Sequence, residues 1–317
     1  MKEQFEKLKT QMPDQKGFLQ CKFPHPSQPI FLLWEPFENK VGISFRFSDG
    51  VTVPKRLPQC NGFSSNWTNH NVLDKPFSSL TLWSTFNITS DFFFSMGEDL
   101  SCRIEMIKDE KERLNALFSR LHCWQKFFQK LQERSFSKEV EKGLWGELFT
   151  IITLMKRMDP ADVLDLWKGY ERKNHDFIHK KWEIETKCID ATRNEITVHG
   201  LSQLEVYENK ELYLHVIKVE DVKNGGRTIN DLVEEISEHI QFDSYLLERL
   251  EQGLASCGYP PNGVSNLNAW SPVEEIWYGT TVGEFPKLKG PKEIRHVEYQ
   301  LPLSLYEGYK KEFLKCY

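Results

Sequence analysis

Among the 317 residues no two cysteines are spaced Cys-x-x-Cys, and the cysteine count, seven, is odd. Both facts argue against a disulfide framework and a zinc ribbon, and leave reduced thiols as the reading. No apolar run approaches the roughly 20 residues that a helix needs to cross a bilayer. The opening MKEQFEKLKT is charged throughout, unlike a secretory signal, so a cytoplasmic protein is expected. Neither a G-x-S-x-G elbow nor a Gly-Lys-Ser/Thr phosphate loop occurs, which leaves acyl transfer and an intrinsic P-loop ATPase without support. Internal repeats and low-complexity segments are also missing. Positive charge is in short supply: Lys and Arg number 41 against 46 Asp and Glu, a formal net charge of −5. That balance does not favour unselective binding to phosphates.

What is present begins with an ordinary globular composition, 39% hydrophobic and 27% charged. The length points to two domains, with room for a small third. The first hundred or so residues read as β-rich, with alternating Val41, Ile43, Phe45 and Phe47, a turn at Ser48-Asp49-Gly50, and a further strand at Val51 and Val53. SSLTLWSTFNITSDFFFSM is read as two more strands that part near Thr89 to Asp91. Residues from about Asp109 to Arg134 repeat Leu114, Leu117, Phe118, Leu121, Trp124, Phe128 and Leu131 at helical spacing.

A second helix is expected over Lys138 to Met158, capped in the Ser135 to Ser137 stretch and ended by Pro160. On a helical wheel Val140, Leu144, Leu148, Ile151, Ile152, Leu154 and Met155 form one apolar arc, and Glu147 falls inside it. A carboxylate there requires a cation, a hydrogen-bonding partner or a raised pKa.

The stretch NHDFIHKKWEIETKCI, Asn174 to Ile189, is the most informative. From Trp182 to Cys188 apolar and polar residues alternate, as on a strand buried on one side, so Glu183, Glu185 and Lys187 share a face. A tight turn at Lys180 and Lys181 would pair Asp176 to His179 with that strand and bring Asp176 beside Glu185, with Lys187 alongside. Two carboxylates sharing a site repel unless a cation joins them, and oxygen ligands suit a hard ion such as Mg²⁺, with Mn²⁺ able to take its place. Lys187 would steady an attacking hydroxide or charge on a phosphate. The implied chemistry is phosphodiester hydrolysis. The plain alternative is the wet face of a half-buried strand. Lys168, Arg172, Lys173, Lys180, Lys181, Lys187 and Arg193 crowd this region, either as a phosphate-binding patch or as a solvated face.

Further along, Glu195 to His199 reads as a third strand, followed by Gly200 and a short polar helix carrying Gln203. Leu212 to Val219 is a fourth strand and Ile229 to Ile240 an amphipathic helix. A helix near Leu246 to Leu254, a loop from Gly258 to Asn268 and a strand at His296 to Leu301 follow. Trp270, Trp277 and Tyr278 either anchor this tail or form a binding rim. HDFIH, His175 to His179, also has the histidine spacing of an HExxH zinc helix with Asp in place of Glu, which keeps metal-dependent proteolysis as a rival. Pattern alone gives a mixed α and β chain.

Asp176 followed by Glu185-Thr186-Lys187 resembles the PD-(D/E)XK signature of restriction-endonuclease-like nucleases, with His175 where the signature has proline. GLWGELF at Gly143 to Phe149, HDF at His175 to Phe177, IETK at Ile184 to Lys187, SQL at Ser202 to Leu204 and EFPKL at Glu284 to Leu288 resemble a family of prokaryotic PD-(D/E)XK-motif proteins of restriction and phage-defence loci. The resemblance implies an α+β fold: a mixed sheet flanked by helices in αβββαβ order, behind a β-rich N-terminal domain. Expected boundaries are 1–106 for that domain, 107–136 for a connecting helix, 137–245 for the nuclease core and 246–317 for an extension packed on it. It implies a Mg²⁺-dependent DNA endonuclease with Asp176 and Glu185 as metal ligands, the Thr186 carbonyl beside them, and Lys187 at the attacking water. Glu147 would serve as a further acid at the metal and Gln203 as support. Implied partners are DNA, an ATPase, helicase or methyltransferase of the same defence system, and a second copy in a homodimer. The non-enzymatic alternative is a subunit of this fold that binds nucleic acid or a partner and cuts little.

Overall fold

The computed structural model describes residues 1–11, 19–22, 29–53, 55–71, 75–85, 90–133, 136–171, 173–205, 210–222, 225–263, 267–279, 285–290 and 297–313. The chain is mixed α and β and divides into two compact units, Met1–Ser135 with Leu254–Gly263, and Phe136–Gly253 with Val264–Tyr317. No helix among the described residues is long and apolar enough to cross a membrane.

In the first unit, helix α1 (Lys2–Gln11) precedes strands β1 (Leu19–Lys22), β2 (Ile30–Glu35), β3 (Lys40–Ser48), β4 (Phe63–His70) and β5 (Phe77–Ser84). These strands form an antiparallel sheet in the order β1-β2-β3-β5-β4. Helices α2 (Ser90–Ile104) and α3 (Glu110–Glu133) follow. Ile43, Phe45, Leu80 and Leu82 of the sheet share a core with Phe93, Leu100, Leu117, Trp124 and Phe128 of the helices. Two expectations fail here. Val51 and Val53 form no strand, and the FFFSM segment lies in α2, because Phe93, Met96, Leu100 and Ile104 recur at three- and four-residue spacing and are all buried.

The second unit opens on α4 (Lys138–Met155), capped by the Ser137 hydroxyl, which accepts from the Val140 N–H. Pro160 starts a helix of its own, α5 (Pro160–Leu166), with Asp159 as its N-cap; α4 has already stopped at Met155. Then come β6 (Phe177–Ile178), β7 (Trp182–Asp190), β8 (Glu195–His199), β9 (Glu211–Asp221), α6 (Ile229–His239), α7 (Ser244–Ser256), β10 (Trp270–Gly279) and β11 (Glu298–Pro302). Beyond β8, Gln203 lies on a turn after Gly200 rather than on the short helix expected. His296 and the Glu284 end of the EFPKL segment lie outside the described residues.

The main sheet has the order β10-β9-β7-β6. β7 runs parallel to β9 and antiparallel to β6, and β9 antiparallel to β10. β8 instead pairs with β11 in a separate two-stranded ladder. Strand β7 was expected to be buried on one side only, and both its faces are covered. One face meets α4, where Thr150 touches Thr186. The other, carrying Glu183, Glu185 and Lys187, shares its side of the sheet with Leu212, Leu214 and Val216 of β9, which pack with Ile196, Val198, Leu303 and Tyr306. The tail aromatics act as anchors: Trp270 and Tyr278 are buried, and Trp277 stacks on His215 with 3.7 Å between ring centroids.

Gly146 sets how closely α4 approaches β7. A Cβ there would stand 2.7 Å from the Cβ of Cys188, whereas Gly143, one turn earlier, has nothing within 4 Å. The two glycines therefore predict opposite signs. Gly143→Ala should stabilise by about 0.5–1 kcal/mol through helix propensity. Gly146→Ala should destabilise by about 1–3 kcal/mol through overpacking. Chemical denaturation of both variants checks this; equal gains would mean that the helix and strand are not in close contact.

Candidate functional site

The hairpin of β6 and β7 is closed by Lys180 and Lys181, with the His179 N–H bonded to the Trp182 carbonyl at 2.9 Å. Its register sets Phe177 opposite Ile184 and Ile178 opposite Glu183. Asp176, the next residue outward, is thereby carried to the level of Glu185. Its Oδ2 accepts from the Thr186 N–H at 2.8 Å. Its carbonyl accepts from the N–H groups of Lys168 at 2.6 Å and Gly169 at 3.1 Å. The residue is therefore gripped at both its side chain and its backbone.

Glu147 comes to the same place from α4. The Trp167 indole N–H donates to its Oε2 at 2.6 Å. Gly169 lies between Glu147 and Asp176: a Cβ on Gly169 would collide with the Glu147 carboxylate and stand 3.1 Å from Asp176 Oδ1. On β7, Lys187 Nζ is 2.8 Å from Glu185 Oε1 and donates to Gln203 Oε1 at 3.1 Å. That amide oxygen also accepts from the His199 N–H at 2.7 Å, so β8 fixes Gln203 and Gln203 fixes the ammonium. Asp176, Glu185, Lys187, Glu147 and Gln203, named from sequence as site residues, thus fall into one connected group.

Glu185 is 2% exposed, while Glu147 and Asp176 keep part of their surface open, which makes their side the mouth of the group. Their carboxyl groups are nonetheless closely surrounded by protein, and burial governs all three acids. It holds Glu147 well above the usual carboxylate range, reinforced by the charge of Asp176 and opposed by the Trp167 hydrogen bond. It raises Asp176 against the Thr186 N–H and Lys187. It pushes Glu185 up to about 8 against the pull of Lys187.

No three His, Cys, Asp or Glu among the described residues form a finished metal cage, and one Glu185 oxygen is turned to Lys187. The donors are nonetheless all oxygens, and three acids face a single ammonium. That surplus of negative charge fits a hard divalent cation better than it fits zinc, which prefers nitrogen and sulfur.

A family described as "putative PD-(D/E)XK family member (DUF4420)" matches residues 3–304. The chain belongs to this family. Comparison with the curated proteins and with the solved structures returned no match. Asp176 and the Glu185-Thr186-Lys187 run are the residues of this chain that fit the PD-(D/E)XK pattern after which the family is described.

The rival zinc-helix reading of HDFIH does not survive. The segment is extended, so His175 and His179 stand roughly 13 Å apart at strand rise. His175 Nδ1 is 2.5 Å from Glu183 Oε2, and Lys210 reaches the other oxygen of that carboxylate at 2.5 Å, while His179 tilts against Trp182. Of the basic run, Lys187 lies within the group, and Lys168 meets Asp176 through its backbone N–H while its ammonium donates to Glu171 at 3.0 Å. Lys180 and Lys181 sit at the hairpin turn, at least about 13 Å from Glu185 along the strand, and Arg172 lies outside the described residues.

Trp167 and Gly169 escaped sequence reasoning, since a turn after a short helix carries no chemical signature. So did Tyr299, which lies near enough to Lys187 to feel its charge. Another omission is the polar chain behind β7, in which Thr186 Oγ1 meets Thr150 Oγ1 at 3.3 Å, Thr150 meets His215 Nδ1 at 2.8 Å, and His215 Nε2 meets Glu275 at 3.1 Å.

The raised acids make stability depend on pH in a stated direction. Unfolded, Glu185 ionises near its ordinary pKa of about 4.3; folded, it holds its proton up to about 8. The folded state therefore binds the extra proton across that window, and stability falls as pH rises through it. Melting in chelator should show a declining Tm from pH 5 to pH 8, a flatter decline for Glu185→Gln, and a larger rise on adding Mg²⁺ at pH 8 than at pH 5. An unchanged slope in Glu185→Gln would remove Glu185 from the account.

Proposed function

We propose that this member of the PD-(D/E)XK family is a Mg²⁺-dependent DNA endonuclease of a prokaryotic restriction or phage-defence system. The observation that carries the reading is the meeting of Glu147, Asp176 and Glu185 around Lys187 at a partly open mouth. Asp176 and Glu185 would hold the cation, with the Thr186 carbonyl and Glu147 beside them. Mg²⁺, or Mn²⁺ in its place, would supply Lewis acidity toward a phosphate oxygen and the attacking water. Lys187 is the one cation inside this group. It would donate to that water or to the charge developing on the phosphate, with Gln203 holding it in line.

Domain roles belong to the same proposal. The nuclease core is assigned to 137–245, with β10 of the 246–317 extension completing its sheet, the β-rich domain to 1–106 and its connecting helix to 107–136. The absence of a phosphate loop assigns any translocation to a separate cytoplasmic ATPase or helicase. A methyltransferase of the same system and a second copy of the chain are the other partners in this reading.

Lys187→Ala should lower cleavage of linear and supercoiled DNA in Mg²⁺ by about 10²–10³-fold or more, with the fold, checked by circular dichroism, and most DNA binding retained. Parent-level cutting by this variant, after removal of contaminating nuclease, would defeat the assignment. Binding by the parent without cutting in either metal would favour the non-enzymatic subunit.

A further inference from the structure

The sheet of the first unit turns one face to its helices, and the other face is unusual. A surface sheet face is ordinarily kept wet by charged side chains. Here Ser44, Ser79 and Thr81 stand in a row across β3 and β5, each less than a tenth exposed, and they form part of the lining of a cavity of about 290 Å³. Ser44 and Thr81 meet at 3.3 Å, and Ser79 meets the His70 ring at 2.9 Å. Asn66 and Thr68 of β4 add an amide and a hydroxyl to the wall.

Two flat groups bound this floor. Trp83 lies over Gly42, where a Cβ would come within 2.7 Å of its six-membered ring, so the glycine seats the indole against the strand. At the other side the Arg46 guanidinium is held between Phe31 and Phe77, 3.6 and 4.7 Å from their ring centroids, and its Nη2 donates to Gln20 at 2.8 Å. Among the described residues of the lining, Arg46 is the only Lys, Arg, Asp or Glu. The cavity offers the Trp83 indole together with neutral donors and acceptors. Its volume is at the low end of the roughly 300–1,000 Å³ typical of small-ligand sites.

We propose that this cavity receives a single nucleobase unstacked from a DNA strand, read at its edge by Thr81, Asn66 and their neighbours and stacked on Trp83. Enzymes that handle an extruded base use this combination of aromatic faces and edge hydrogen bonds. The proposal rests on the reading of the chain as a protein that works on DNA, and it gives the first unit a part in choosing that DNA.

The test uses the full chain in chelator, so that cutting plays no part. The probe is a duplex carrying one 2-aminopurine opposite an abasic site, where extrusion costs least. Binding should change the 2-aminopurine fluorescence. Thr81→Val, nearly isosteric, and Asn66→Ala, at an exposed position, should each weaken this binding about tenfold while affinity for a fully paired duplex and the melting temperature hold. Parent-like affinity of both variants for the probe would overturn the proposal. So would displacement of the bound base by free glucose in place of free nucleoside. Either result leaves the Lys187 cleavage test untouched, and loss of cleavage there leaves this binding assay untouched.

Discussion

The structure of the second unit depends on holding three acids around one ammonium where water is scarce. Left to themselves, such carboxylates would repel one another, take up protons, or turn outward to solvent. The chain resists the last of these by holding them with backbone N–H groups and with side chains that are themselves fixed. Asp176 is bound through the Thr186 N–H and through the Lys168 and Gly169 N–H groups, Glu147 through Trp167, and Lys187 through a glutamine that is itself tied to the His199 N–H. Backbone donors set by strand pairing cannot swing away as a flexible side chain can. The resulting geometry is therefore fixed before any ligand arrives, which is the condition under which electrostatic stabilisation is most effective.

This dependence explains which parts of the site were legible in the sequence. Asp176, Glu185 and Lys187 could be placed because a two-residue hairpin turn fixes register, and register alone decides which residues stand opposite. Glu147 announced itself as an acid inside an apolar helical arc. Gln203 was legible only through family resemblance, since no local pattern says that the turn after β8 comes to Lys187. Trp167 and Gly169 depend on close approach in space and left no trace at all. Among the elements, β10 was missed because Pro272 and two glutamates interrupt its alternation. Those features belong to an edge strand with a bulge, as the register shift between Pro272 and Glu274 records.

Strand β7 shows how a correct pattern can carry a wrong inference. Alternation of Trp182, Ile184 and Thr186 with Glu183, Glu185 and Lys187 is the ordinary mark of a strand wet on one side. Yet Glu183 is 5% and Glu185 2% exposed. The acids lie on a covered face because each has been given a purpose-built partner: Glu183 has His175 and Lys210, and Glu185 has Lys187. Hydrophobic periodicity reports where side chains point and says nothing of what lies over them. A charged face sealed beneath apolar neighbours is the costlier arrangement, and under the proposed function that cost is borne for chemistry.

The same electrostatics links the net charge of −5 to the proposed activity. A phosphate approaching three ionised acids would be repelled, and the nearest lysines of the hairpin turn stand too far along β7 to offset this. Burial raises the pKa of all three acids, that of Glu185 to about 8, so the metal-free site carries less negative charge than three ordinary carboxylates would. Cation binding and proton release must then be coupled, because the oxygens that take the ion are those that give up the proton. On this reasoning the site is repulsive or inert toward DNA until the ion is in place, and the acidic total charge disfavours indiscriminate attachment to any duplex in the meantime.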